Sequence, residues 1–116
     1  VARHGQSPIN DLAEFQRLVK EGRFSINRKS RLEADALEYS TDEIVDCLMS
    51  LRVEKHFDHS KKFDDGEGEA DIYFVRWHHF MPSRDENVAH DLYIKLRINP
   101  SGGAALVLSF HPERNG

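Results

Sequence analysis

The stretch DLYIKLRINPSGGAALVLSFHPERNG, Asp91 to Gly116, decides the fold. Residues alternate across a strand. Leu92, Ile94, Leu96 and Ile98 fall on one side, and Tyr93, Lys95 and Arg97 on the other. The segment NPSGG then supplies turn chemistry, and a second alternating run follows from Ala104 to Phe110. This reads as a β-hairpin. Its greasy face collects Leu106, Leu108 and Phe110 with the aliphatic residues of the first strand. Its polar face collects Tyr93, Lys95, Arg97, Ser109 and His111. Burial of each aliphatic side chain contributes ~1.5–3 kcal/mol, which holds the register.

Helical patterns come before this hairpin. In SPINDLAEFQRLVKEG, Ser7 suits a cap, Pro8 a first turn and Gly22 a stop. Ile9, Leu12, Phe15, Leu18 and Val19 form the apolar stripe. SRLEADALEY reads as a short helix capped by Ser30. STDE, Ser40 to Glu43, is a capping box opening a third helix with Ile44, Val45, Leu48 and Leu51 inward. Phe24 to Asn27 reads as a connector or short strand. RVEKHFDHSKKF is short and mixed, DDGEGEAD a loop, DIYFVRWHHF a strand and MPSRDENVAH a polar loop. Helices first and antiparallel strands after is an α+β pattern. The expectation is one domain over residues 1–116, with N-terminal helices on one face of a small antiparallel sheet. Residues 1–6 and 113–116 read as loose ends.

Composition narrows the function classes. The chain has 116 residues, 39% hydrophobic and 31% charged, with a formal charge of −4. That balance argues against a general nucleic-acid binder. Charge is uneven. Arg17, Lys20, Arg23, Arg28, Lys29 and Arg31 cluster, and Glu33 to Asp46 carries only acids. Two solvated helix faces account for this, as does a basic stretch that meets an anion. One cysteine excludes an internal disulfide framework. Cys47, beside an apolar stripe, reads as a core residue. No apolar run approaches the ~20 residues of a membrane span, and no hydrophobic leader stands near the N-terminus. The expected location is cytoplasmic, without a membrane partner. Histidine spacings match no metal motif, and His78 and His79 point to opposite faces of a strand. No metal and no cofactor are expected.

The polar hairpin face has two readings. Tyr, Lys and Arg are common on any exposed strand. They also suit a phosphodiester: Lys and Arg neutralise phosphate oxygens, His moves a proton near neutral pH and Tyr stacks on a base.

Two blocks resemble the motility quorum-sensing regulator (MqsR) toxins. LVKEGRFSINRKSRLEADAL, Leu18 to Leu37, is similar to the family's opening pattern, carried here by Leu18, Val19, Gly22, Arg28, Leu32, Ala34, Asp35 and Leu37. LYIKLRI and LVLSFH resemble its closing strands. The resemblance spans about residues 9 to 111, with a longer loop around 74 to 90. It implies a RelE-like α+β toxin that cleaves mRNA without the ribosome and is held inactive by a cognate antitoxin. The family tyrosine of the Tyr-x-Lys strand matches Tyr93. Its lysine after Ser-Phe falls on His111, and its other lysine on His59, with Lys61 or Lys62 able to supply the charge. Its glutamine falls on Ala70 and is lost.

The resulting expectation is metal-independent transesterification by a ribose 2′-OH. His111 acts as acid or base with His59 as counterpart. Lys95 and Arg97 hold the phosphate, and Tyr93 positions a base or assists proton transfer. Lys61, Lys62, Arg28 and Lys29 extend the RNA contact. The competing expectations are a non-catalytic protein-interaction module and a ribosome-dependent RelE-like nuclease.

Overall fold

The computed structural model describes residues 7–62 and 69–113. Four helices and five strands follow in the order α1 (Leu12–Lys20), β1 (Phe24–Ile26), α2 (Arg28–Ala36), α3 (Thr41–Ser50), α4 (Val53–His56), β2 (Phe57–Lys62), β3 (Glu69–Met81), β4 (Glu86–Ile98) and β5 (Ala105–Pro112). The fold is α+β. The strands form one sheet in the order β1-β5-β4-β3-β2. It is mixed rather than wholly antiparallel, because β1 lies parallel to β5. The DDGEGEAD loop lies largely outside the described residues; Glu69 to Asp71 already belong to β3.

The core lies between the sheet and the helices. Phe15 and Leu18 of α1 and Ile44, Cys47 and Leu48 of α3 are buried with Tyr73, Ile94, Leu96, Val107 and Phe110 of the sheet. Cys47 is fully buried, and burial pushes its thiol up to about 12, as suits a core residue. Gln16 ties α1 to the end of α3 by donating from Nε2 to the carbonyls of Leu48 and Leu51, both at 3.0 Å.

Helix starts differ from expectation where a better cap stands nearby. α1 begins at Leu12, because Asp11 accepts from the Ala13 amide at 3.0 Å. Ile9 therefore leaves the stripe and is exposed. The residues before α1 are held by Asp71 instead. This fully buried carboxylate accepts from the Ile9 amide (2.9 Å), the Asn10 amide (2.8 Å), Asn10 Nδ2 (3.1 Å) and Ser60 Oγ (2.6 Å). Gly22 takes φ +78°, the left-handed stop that suits glycine, and the Arg23 amide closes on the Leu18 carbonyl. α2 is capped by Asn27, not Ser30, which lies buried inside the first turn. The Ser40–Glu43 capping box forms as the sequence predicts.

Two corrections concern the strands. MPSRDENVAH is not a loop. Pro82–Arg84 makes one tight helical turn, Asp85 takes φ +49°, and strand pairing resumes at once, with Met81 opposite Glu86. Residues 74 to 90, expected as a longer loop, are a paired hairpin. It projects past its neighbours, because β2 ends opposite Tyr73 and β5 ends opposite Leu92. The second correction is a β-bulge in β5. Lys95 faces Ser109, yet Leu96 faces Val107, so Leu108 is the extra residue. Ala105 and Val107 point into the core, and Leu106 pairs with Arg97 and is only half-buried.

Candidate active-site cleft

Beyond the bulge Ser109 and His111 keep the polar face expected of them, and that segment builds a cleft on the sheet face opposite the core helices. Tyr93 stands beside His111 and Lys95 beside Ser109. Phe74 joins from β3, opposite Tyr93. Together with Lys29 and Glu113 these side chains line a cavity of about 370 Å³.

An aromatic row crosses three strands. Phe74 meets Tyr93 edge-on with ring centroids 5.6 Å apart. Tyr93 stacks on His111 at 4.8 Å with only 9° between the planes. His111 is inside β5 rather than in a loop past its end, and it is 7% exposed. Its Nδ1 lies 2.7 Å from the Pro112 carbonyl. A carbonyl can only accept, so Nδ1 carries the hydrogen and Nε2 is the nitrogen left to exchange a proton.

Charge gathers at the same place. Burial lowers the pKa of Lys95, and the charges of Lys61 and then Lys29 lower it further. An anion bound among these lysines would relieve that repulsion. Tyr93 is raised, first by burial and then by the negative charge of Asp58.

Lys29 reaches the cleft through Asn27. The Asn27 side-chain oxygen accepts from the Ser30 amide at 2.8 Å, and its Nδ2 donates to the Leu108 carbonyl at 3.0 Å. One residue thus caps α2 and docks its first turn on the bulge. Arg28 is exposed in the same turn and does not line the cavity. Three arginines of the basic stretch are engaged locally: Arg17 with Glu14 and Glu21, Arg23 with Glu21, and Arg31 with Asp35, Thr41 and the Tyr39 carbonyl.

The other predicted site residues are spread more widely. Arg97 is largely buried beside Leu106 and does not line the cavity. His59, Lys61 and Lys62 stand on β2, at the opposite edge of the sheet from β1. His59 is three strands from His111 and outside the cavity lining, with its Nδ1 2.7 Å from Asp58. Three strand spacings of about 4.8 Å separate the two backbones. Lys61 and Lys62 are exposed.

Two lining residues, Phe74 and Glu113, are not among those the sequence singles out. Phe74 was read only as strand material, although β3 alternation places it opposite Tyr93. Lys29, expected among the RNA contacts, lines the cleft from α2. Glu113 was read as part of a loose end. It is held by its amide, 2.6 Å from the Asp91 carbonyl, and alternation from Ser109 and His111 was the available signal. Among the described residues no group of three or more His, Cys, Asp or Glu could hold a metal ion. No helix of the described residues is long and apolar enough to cross a membrane.

Comparison with known proteins finds no family model that matches the chain and no curated protein significantly similar to it.

Proposed function

We propose that this chain is a metal-independent endoribonuclease of the RelE-like kind, with mRNA as substrate and an antitoxin protein as its regulator. The observation that carries the reading is the stacked Tyr93–His111 pair in one cleft with Lys95. Helices on one sheet face and a basic, aromatic cleft on the other support it, as does the resemblance of the opening and closing blocks to the MqsR toxins.

The chemistry needs a base, an acid and a phosphate holder. Glu113 lies in the cleft and His59 does not, so Glu113 is the better counterpart to His111. Its carboxylate takes the proton of the ribose 2′-OH. The O2′–P bond forms as the P–O5′ bond breaks, and the imidazolium of His111 gives its Nε2 proton to O5′. Lys95 and Lys29 offset the charge that grows on the non-bridging oxygens. Tyr93 holds the imidazole in plane and offers its hydroxyl to the sugar or phosphate. The products are a 2′,3′-cyclic phosphate and a 5′-OH.

The experiment is incubation of purified RNA with the protein in EDTA, with and without ribosomes. Cleavage of RNA alone, leaving cyclic phosphate ends, is expected. Cleavage only with ribosomes would assign a ribosome-dependent nuclease. No cleavage in either case would favour a protein-interaction module.

A further inference from the structure

The projecting β3–β4 hairpin carries a second feature on the cleft side of the sheet. Phe74, Arg76, His78 and Phe80 alternate along β3 and share one face, whereas Val75, Trp77 and His79 between them turn to the other, with Val75 and His79 buried there. Phe74 belongs to the cleft. From it the row runs outward six residues, or ~20 Å at strand rise. The cross-strand neighbours leave it uncovered: His78 faces Ala89, and Phe80 faces Asn87. Arg76 and His78 are exposed. Phe80 is 46% exposed, an aromatic ring held in water at the arm's far end.

We propose that this face of the arm, from Phe74 through Arg76 and His78 to Phe80, is a binding track for single-stranded RNA leading out of the cleft. The inference rests on the RNA-cleaving reading of the cleft and adds where the flanking nucleotides lie. Aromatic rings at both ends of a path that carries polar and basic groups between them suit sequence-tolerant single-strand binding, because every base has a face to stack. Two independent points favour RNA over a protein partner. The row is continuous with the cleft through Phe74, which touches Tyr93. Its aromatic and basic side chains also recur at a regular two-residue step, which matches a repeating ligand better than a compact apolar anchor does. Stacking rather than charge supplies the affinity, since Arg76 already pairs with Asp91 at 3.3 Å.

The test uses 2′-O-methyl RNA, which lacks the attacking hydroxyl and stays intact. Binding of a fluorescent trinucleotide and a nonanucleotide is compared by polarisation. Wild type should bind the longer strand more tightly. Phe80→Ala should weaken the longer strand roughly tenfold, the loss of about one stacked base, and leave the trinucleotide unchanged. That loss should be the same at low and high salt, and Phe80→Trp should restore it. Equal wild-type affinity for both lengths, or full affinity of Phe80→Ala for the longer strand, would overturn the track while the cleft reading stands. Binding of neither strand by wild type would overturn both.

Discussion

Tyr93 and His111 stack almost parallel across the β4–β5 pair, with ring centroids 4.8 Å apart and 9° between the planes. The pair follows from register: the two residues sit directly opposite one another. Stacking fixes the imidazole plane, and the Pro112 carbonyl fixes which nitrogen bears the hydrogen. An exposed strand histidine would have neither constraint. The ring stack and the place in the cleft separate His111 from His59, which is 43% exposed at the side chain with its Nδ1 against its neighbour Asp58.

Removing the imidazole should therefore cost activity and little structure. His111→Ala is expected to lower RNA cleavage by ~10²–10⁴, the worth of a positioned acid–base group, with an unchanged circular dichroism spectrum. His111→Lys tests what kind of group is needed. Retained cleavage by the lysine variant would show that charge, not proton transfer, is the contribution.

Glu113 and His59 compete for the role of base, and location decides between them. Glu113→Gln keeps the shape and the backbone bond to Asp91 but cannot take a proton. It should reduce the maximal rate strongly and the RNA affinity little. His59→Gln should change the rate by less than about threefold, well under the worth of a general base. The reverse ranking in single-turnover assays would return His59 to the site.

Stability should report the bulge. Ile94 is fully buried and Leu106 half-buried opposite Arg97. Ile94→Ala should cost ~2–5 kcal/mol, the range for an aliphatic deletion that leaves a cavity. Leu106→Ala should cost clearly less, and Val107→Ala more than Leu106→Ala. Urea melts that placed Leu106 above Val107 would mean that β5 runs in the unbulged register.

The bulge was not legible beforehand, for a physical reason. Leu106, Val107 and Leu108 are all aliphatic, so either alternation puts a greasy residue inward. Beyond the bulge only one choice buries Phe110 and leaves His111 on the cleft face, and there the polar face was readable. The capping box was equally plain, because Ser40 and Glu43 satisfy each other locally. β1 was legible as a connector or short strand at Phe24 to Asn27, but its parallel pairing was not, since the partner strand lies some eighty positions away. The β3 side of the arm was legible in DIYFVRWHHF, and its β4 side was hidden by polar composition. Glu86 to His90 has few strand formers, and pairing with β3, not propensity, makes it a strand.

Asp71 offers a test of how the segment before α1 is held. Its carboxylate gathers two backbone amides, the Asn10 side chain and the Ser60 hydroxyl. Asp71→Ala would strand those donors. Each hydrogen bond to a charged group is worth ~1.5–3 kcal/mol, so a loss of several kcal/mol is expected. Asp71→Asn should lose less, because it keeps an acceptor oxygen. Amide exchange at Ile9 and Asn10 should quicken in both. Unchanged exchange there would mean that the segment is held by other contacts.

Lys95 ties affinity to both salt and pH. RNA binding should weaken steadily with salt, the logarithmic slope being ~0.7 per phosphate contact for a single strand. Lys29→Ala/Lys95→Ala should bind less tightly with a shallower slope, and Arg97→Ala should leave the slope unchanged, because Arg97 does not line the cleft. The pH effect has a definite sign. Lys95 must be protonated to hold a phosphate, and burial with Lys61 and Lys29 sets its pKa below the ordinary 10.5. Affinity should therefore begin to fall at a lower pH than an ordinary lysine would give, as the group loses its proton on the alkaline side. Lys95→Arg should hold its affinity to higher pH, since a guanidinium stays charged throughout. Polarisation titrations from neutral to alkaline pH check both. Identical alkaline profiles for wild type and Lys95→Arg would show that Lys95 does not carry the phosphate.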